Sequence, residues 1–534
     1  MIKLKPTLLK NRNSFHCKNL YKCRSKVINS NYMIKGKRMF SSNNNTMNDK
    51  RNKESTTSSI NINKERLLKP DVYDTVIIGG GVTGTSLLFL LSKFTDLKKL
   101  AIIERREDFA LVASHGQNNS QTIHCGDIET NYSFEKAKFI KRYADLLRNY
   151  LCKLPKNKRE DISGVTQKMV IGVGEKECEF LHERYPTFNK LFKSMKLINK
   201  NTIYEVEPKV ALKDENTLRD EMLSALYMPP ELTTCDYQKL SNSFVEYAKM
   251  EGTKSLNAGT TNPSQKDISI NLATEVINIE EINNTLYHVH TNKGIIKTRF
   301  VVVCACGHSL LLAQKMNYGL EYSCMPVAGS FYFTHDILKG KVYTIQNPAL
   351  PFAAVHGDPD IVAKGKTRFG PTALPIPLLE RDNKKTLLDF LKVWNPDINL
   401  FTVYFNLFKD ITMLKYVSRN FLFEVPILNK HLFLKDVRKI IPSLNLEDLS
   451  YCVGYGGVRP QLINKKTKKL LLGEGKIDSK KNIIFNITPS PGATTCLGNG
   501  ENDMYTICER LNAKVNKTEV RKYLYEGDFH VDYL

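Results

Sequence analysis

The run Gly79-Gly80-Gly81-Val82-Thr83-Gly84 stands between two apolar stretches and limits what this chain can become. Val76-Ile77-Ile78 before it reads as a buried strand, and residues 86–91 after it as the first turns of a packed helix. Each glycine of the G-x-G-x-x-G spacing has a mechanical reason. Gly79 allows the tight turn, Gly81 lets backbone approach a pyrophosphate, and Gly84 lets the helix lie against its strand. The phosphates then meet the free N–H groups at the helix start. Lys99-Leu100-Ala101-Ile102-Ile103 reads as the second strand and ends in Glu104, twenty residues after Gly84. A carboxylate there suits the two hydroxyls of an adenosine ribose and repels a 2′-phosphate. Arg105 and Arg106 leave a small opening for a phosphorylated cofactor, against which Glu104 argues. A glycine-rich turn without a ligand is the alternative, and the two flanking strands weigh against it.

At 534 residues the chain has room for two or three compact units. Residues 1–70 stand apart, with 17 Lys and Arg against 3 Asp and Glu, so that +14 of the formal +23 lies there. The first 40 residues hold no acid. That profile is the one of a mitochondrial presequence. A disordered basic arm for nucleic acid or a membrane surface is the alternative, and no aromatic or folded reader accompanies it. The remainder, at +9, forces no nucleic-acid partner. The 12 cysteines form no CxxC pair and no spacing with histidine that suits a metal, so no metal centre is expected. Cys304-Ala305-Cys306 sits in an apolar strand pattern and reads as buried thiols in a reducing compartment. No stretch approaches the ~18–20 apolar residues of a spanning helix, so a soluble or peripheral protein is expected.

Further along, a polar, glycine-punctuated loop over 114–127 precedes a helical pattern over 134–152. A strand is predicted at 169–173, helices at 175–184 and 236–250, a strand at 273–279, and a hairpin over 286–298 turning at Asn292-Lys293-Gly294. Phe300-Val301-Val302-Val303-Cys304 reads as a buried strand. These return strands predict an α/β protein with a discontinuous Rossmann-like nucleotide domain and an inserted α+β, mixed-sheet substrate domain. The expected boundaries are 1–70 for the leader, 71–135, 230–312 and 450–534 for the nucleotide domain, and 136–229 and 313–449 for the substrate domain. With one fingerprint rather than two, the expected cofactor is a single flavin.

Asn118-Asn119-Ser120-Gln121-Thr122-Ile123-His124-Cys125-Gly126-Asp127-Ile128-Glu129-Thr130-Asn131-Tyr132-Ser133 resembles the corresponding segment of malate:quinone oxidoreductases. Glu207-Pro208, Phe369-Gly370-Pro371-Thr372-Ala373, Gly457-Val458-Arg459-Pro460-Gln461 and Ser490-Pro491-Gly492-Ala493-Thr494 resemble later blocks of the same family. The resemblance covers about residues 72–515. It implies FAD, oxidation of L-malate to oxaloacetate by hydride transfer to flavin N5, and electron delivery to membrane ubiquinone, at the mitochondrial inner membrane if the leader is a presequence. The first loop departs from the bacterial branch that carries a glycine-threonine-glycine-histidine run there.

The resemblance further implies that the ADP half of FAD lies on Gly79, Gly81, Gly84 and Glu104, with the backbone at Val276 against the adenine; plain strand packing is the alternative for Val276. Residues 114–124 would run under the isoalloxazine, Ser114 opening the loop and Ser120, Gln121 and Thr122 offering hydrogen bonds to the ring. Pro491, Gly492, Ala493 and Thr494 open a helix that can aim N–H groups at the pyrimidine edge. Malate oxidation further needs a base for the C2 hydroxyl and a cation for a carboxylate. His356, with Asp358 as a possible orienting acid, is the first candidate base and His124 the second. Arg459 is the candidate carboxylate clamp, since a guanidinium can make two parallel bonds.

Residues 384–439 hold ten Lys and Arg, five Asp and Glu, and ten aromatics, including the single tryptophan, Trp394. Phe401, Tyr404, Phe405 and Phe408 recur at helical spacing beside Lys409 and Lys415. Such a segment can lie in a bilayer interface where a lipid quinone arrives; an aromatic stripe packed on the core is the alternative. The rival functions are an L-2-hydroxyglutarate dehydrogenase of the same flavin group, a FAD-bound RNA-binding or tRNA-modifying protein, and an oxygen-using oxidase.

Overall fold

The computed structural model describes residues 72–253, 266–346, 354–425, 428–471 and 473–527. The leader at 1–70 and most of the polar insertion after Thr253 lie outside the described residues.

Three sheets organise the described chain. The first runs in the order Gly475–Asp478, Ile483–Ile487, Gly294–Val303, Val72–Ile78, Lys99–Ile103, Asp267–Asn271. Its inner pairings are parallel, which requires crossovers that cover both faces. The strands accordingly read as continuous apolar runs sorted by a period of two. Ile77, Ile102, Phe300 and Val302 point to one side, against Phe89, Tyr150 and Phe244 of the helices Val82–Phe94, Phe134–Cys152 and Tyr237–Thr253. Val76, Ile103, Val301 and Phe485 point to the other, against Leu310 of the helix Gly307–Lys315 and Tyr287 of the strand Leu286–Thr291.

The second sheet has eight strands, ordered Ser450–Tyr451, Tyr332–His335, Lys366–Gly370, His356–Pro359, Lys341–Thr344, Ser163–Val173, Leu223–Cys235, Lys196–Asn199. Only Lys341–Thr344 against Ser163–Val173 is parallel, so the sheet is mixed. The third is antiparallel, with four strands: Leu374–Pro375, Tyr322–Ala328, Val458–Asn464 and Lys469–Leu471. Helices Ile398–Lys409 and Ile411–Leu422 cover it through Leu400, Val403 and Met413.

The architecture is therefore the α/β nucleotide domain with a mixed-sheet partner read from sequence. Several placements differ. The helix Phe134–Cys152, counted with the substrate domain, packs its apolar face on the nucleotide core. The strand Val458–Asn464, counted with the nucleotide domain, pairs along Tyr322–Ala328 instead. The strand expected at 273–279 begins only at Val276, because Ala273 takes a left-handed turn at φ +47 between Asp267–Asn271 and Val276–Asn283.

Candidate functional site

The glycine loop has the geometry its spacing demands. Gly79 sits at φ +111, and a Cβ there would fall onto the Cys304 carbonyl. A Cβ on Gly84 would fall onto the Gly79 carbonyl, so any larger residue pushes the helix off its strand. Val82 N donates to Ser114 Oγ at 3.0 Å, which places Ser114 at the helix N-terminus where phosphates are expected rather than beneath a flavin ring. Glu104 accepts from Gly80 N at 2.7 Å and from Arg106 N at 2.8 Å. Each carboxylate oxygen retains a lone pair for ribose hydroxyls. Arg105 and Arg106 both pair with the buried Glu380, so neither is left to receive a 2′-phosphate. Ala273 N and Thr274 N hang from the carbonyls of Arg106 and Glu104, which sets half-buried Val276 two residues from that ribose end. A dinucleotide fits this cradle: small residues stand where backbone must approach, donors lie at a helix start, and an acid sits at the second strand end.

The polar loop is more committed internally than its composition suggests. Gln121 is wholly buried at φ +52; its Nε2 donates to Gly116 O and Asp360, and its Oε1 accepts from Ile361 N. The expectation that Gln121 offers hydrogen bonds to a flavin ring is thus overturned: its amide ties the loop to Asp360. Thr122 Oγ1 donates to Ser120 O and lies 3.3 Å from Tyr343 OH. Thr494 Oγ1 accepts from His124 N at 3.1 Å and meets Tyr237 OH at 3.1 Å, joining the C-terminal loop to the 114–127 loop. The helix after it spans Cys496–Leu511. Gly492 folds back on Pro489 O, and half-buried Ala493 packs against the core beneath. Pro491 starts the turn, its carbonyl accepting from Thr494 N.

Tyr343, which nothing in the sequence marked, is where the candidates meet. His356 stacks on it with ring centroids 4.2 Å apart and planes 2° apart, because the two pair across adjacent strands. Burial drives His356 from its ordinary 6.5 down to about 3, with Asp358 opposing. Its Nδ1 meets Ala354 O at 3.3 Å, and its buried Nε2 has no partner among the described residues. Asp358 does not orient it: that carboxylate holds Lys341 Nζ at 2.5 Å, a correction to the pairing read from Gly357-Asp358. Arg459 lies on the strand opposite Val327, half-buried, its pKa lowered by burial and raised by Tyr416 and Tyr343. It has no hydrogen-bond or ion-pair partner among the described residues. The preceding turn packs onto the loop, Gly456 N donating to Gln117 O at 2.9 Å. A half-buried cation without an anion is a costly arrangement unless a ligand supplies the anion.

His124 is held differently. Its Nδ1 lies 2.7 Å from Glu129 Oε1 and its Nε2 3.3 Å from Ser120 Oγ. Behind it a buried ion network connects Lys168 to Asp127 at 2.5 Å and to Glu231 at 2.8 Å, and Arg148 to Glu231 at 2.7 Å. Burial pushes Asp127 up. Against the same burial, Arg148 and Lys168 bring Glu231 down to about 2. Cys125, Asp127 and Glu231 are close enough to hold a metal, but the Lys168 ammonium already bridges the two acids.

Residues 71–522 match the malate:quinone oxidoreductase family. The chain belongs to that family. It is 43% identical over 450 residues to a probable malate:quinone oxidoreductase of Campylobacter jejuni, covering 83% of this chain and 97% of that protein. It is 46% identical over 444 residues to one of Helicobacter acinonychis, covering 82% and 95%. Among solved structures, the FAD-bound L-alpha-glycerophosphate oxidase of Mycoplasma pneumoniae superposes with a TM-score of 0.54 at 18% identity, over 83% of this chain and 96% of that one. That likeness places the chain in the fold of the FAD-dependent oxidoreductases.

Proposed function

We propose that this protein oxidises L-malate to oxaloacetate with FAD as its resident acceptor and passes the electrons to ubiquinone at the mitochondrial inner membrane. The observation that carries the substrate reading is Arg459, a half-buried guanidinium with no anionic partner among the described residues, beside the loop that follows the glycine cradle. Family membership supports malate and quinone as the reactants. The cradle at Gly79, Gly81 and Gly84 with Ser114 and Glu104 would hold the ADP half of FAD, and Ser120, Thr122 and residues 491–494 would border its ring. When bound, FAD supplies the two-electron acceptor for the C2 hydride.

Arg459 grips one malate carboxylate through two parallel hydrogen bonds and so fixes C2. The hydroxyl proton goes to a histidine. His356 stays neutral throughout the physiological range, which fits it to accept a hydrogen bond through Nε2 but not to retain a proton. His124, tied to a carboxylate, is the better proton acceptor. Quinone reduction takes up two electrons and two protons. Its entry side is the helical layer, where Leu388, Ile398, Phe401, Phe405, Ile411 and Phe421 are all more than half exposed. No helix among the described residues is long and apolar enough to cross a membrane, and an interfacial contact suits that layer. The basic leader, acid-free over its first 40 residues, supports the mitochondrial address.

The test is anaerobic mixing of the purified holoprotein with a panel of 2-hydroxy acids, followed by a short-chain ubiquinone. L-Malate bleaches the flavin and the quinone restores it. A colourless protein that takes up no FAD, or bleaching by 2-hydroxyglutarate alone, overturns the reading.

A further inference from the structure

We propose that Glu129 is the positioning residue that makes His124 the proton acceptor for the substrate hydroxyl, by holding Nδ1–H and leaving the Nε2 lone pair directed at the site. This rests on the 2-hydroxy-acid oxidation proposed above and names the part of the site that removes the proton.

Glu129 is buried, and both its oxygens are occupied: Oε1 takes His124 Nδ1 at 2.7 Å and Oε2 takes Gly126 N at 2.9 Å. The turn that brings them together depends on Gly126 at φ +86, where a Cβ would stand 2.8 Å from Ala137 Cα. The carboxylate is therefore clamped by its own loop and cannot swing away. Burial pushes Glu129 up, but the His124 bond, the His124 charge and Lys168 together bring it below its ordinary value. Glu129 accepts from Gly126 N on one oxygen and meets Nδ1 on the other, so in the neutral imidazole Nδ1 carries the proton and Nε2 is the acceptor. Ser120 Oγ stands 3.3 Å from Nε2, so a hydroxyl comes within hydrogen-bond reach of that nitrogen.

The ring is held from its backbone as well. Ile123 N donates to Thr233 O at 2.8 Å and His124 N to Thr494 Oγ1 at 3.1 Å, so the histidine stands between the two loops expected at the flavin. The side chain is 14% exposed against 5% for Glu129, which leaves the imidazole, not the acid, open to a ligand. The charged and titratable groups facing the pair are Lys168 and Asp127 from the ion network, Lys136 and Tyr132 from the following helix and its approach, Arg184, which donates to the Glu129 carbonyl, and Tyr343. Lys168 lies at ion-pair distance from Asp127 and Glu231, while the Glu129 oxygens take His124 Nδ1 and Gly126 N.

The experiment compares wild type, Glu129→Gln and Glu129→Asp as holoproteins by anaerobic stopped-flow reduction with L-malate across pH. His-selective 15N spectra of the same proteins without substrate are assigned with His124→Gln. Glu129→Gln is expected to slow reduction about 100-fold, with the half-saturating malate concentration changed less than threefold. Its His124 signal should change from the Nδ1–H form to a mixture, while FAD affinity of the apoprotein stays within twofold. Glu129→Asp should recover part of the rate and keep the Nδ1–H form, and it serves alone if the glutamine variant does not fold. An unchanged rate and tautomer in Glu129→Gln, or a rate loss that follows FAD loss, overturns the proposal. If wild type is not bleached by malate, the malate reading falls. The tautomer, and whichever 2-hydroxy acid does bleach the flavin, then decide the pair.

Discussion

Arg459→Ala separates a ligand-binding cation from a structural one. The guanidinium is half-buried, weakened by burial and without a partner among the described residues. If it binds a malate carboxylate, truncation removes two charge-assisted hydrogen bonds. Each is worth about 1.5–3 kcal/mol, and since the two share one geometry a total of about 3–4 kcal/mol is reasonable. At about 1.4 kcal/mol per decade, malate affinity should fall about 10²- to 10³-fold. The folded protein, by contrast, loses no ion pair and should melt no lower than wild type. Lys168→Met is the control, because that lysine sits between Asp127 and Glu231 and its loss leaves both acids buried. A penalty of about 3–5 kcal/mol is expected there. The assays are the malate dependence of anaerobic flavin reduction, titration with a non-reactive dicarboxylate, and thermal denaturation. Unchanged malate affinity in Arg459→Ala, or melting depressed as far as in Lys168→Met, refutes the reasoning.

Gly84→Ala should weaken FAD binding about 10- to 100-fold, because the added Cβ overlaps the Gly79 carbonyl and overpacking of about 1–3 kcal/mol lifts the helix Val82–Phe94; fluorescence titration of the apoprotein reads it, and wild-type affinity counts against the cradle. His356 is held near 3 when folded and returns to about 6.5 when unfolded, so between those values the unfolded chain binds the extra proton and stability falls as pH falls. From pH 6.5 to pH 5 that is about 1.6 kcal/mol, which His356→Phe should abolish in denaturation curves; parallel pH dependences would exclude the assignment. Phe405→Ser with Phe408→Ser should cut flotation with anionic vesicles at least tenfold while leaving malate oxidation with a soluble acceptor intact, since these rings are 69% and 37% exposed. Undiminished flotation would place the contact elsewhere.

The nucleotide half was legible because its constraints are local. A glycine spacing, two apolar runs and an acid at the second strand end each have one geometric meaning, and the helix Phe134–Cys152 appears with the bounds its periodicity gives. The substrate half was legible only in part. Whether the stripe of Phe401, Tyr404, Phe405 and Phe408 faced inward could not be read from spacing; Tyr404 packs on the third sheet while Phe401 and Phe405 stay exposed. Gln121 and Asp358 were misplaced for one reason: a polar side chain in a loop or beside a histidine declares its chemistry but not its partner. Asp360 lies 239 residues from Gln121, and the partner of Asp358 is Lys341 on the neighbouring strand. Tyr343 carried no sequence signal, because its role follows from a cross-strand register.

The ion network behind His124 is the hardest feature to justify by stability alone. Asp127, Lys168, Glu231 and Arg148 are buried together, and well-packed apolar residues of similar volume would often serve a core as well. Charges there have a different consequence. They fix the rotamers of Asp127 and Glu231 and so pin the turn from His124 to Glu129 against the strands Ser163–Val173 and Leu223–Cys235. They also place a positive charge near Glu129, where Lys168 adds to the pull of His124 in holding that buried carboxylate below its ordinary value. A protonated Glu129 could donate its own hydrogen to Nδ1, and the imidazole would then turn a proton, not a lone pair, toward the substrate. The buried cations thus act on the chemistry through two intermediaries, the carboxylate and the tautomer. Apolar packing can fix a loop in place, but it cannot hold a buried acid in its charged form.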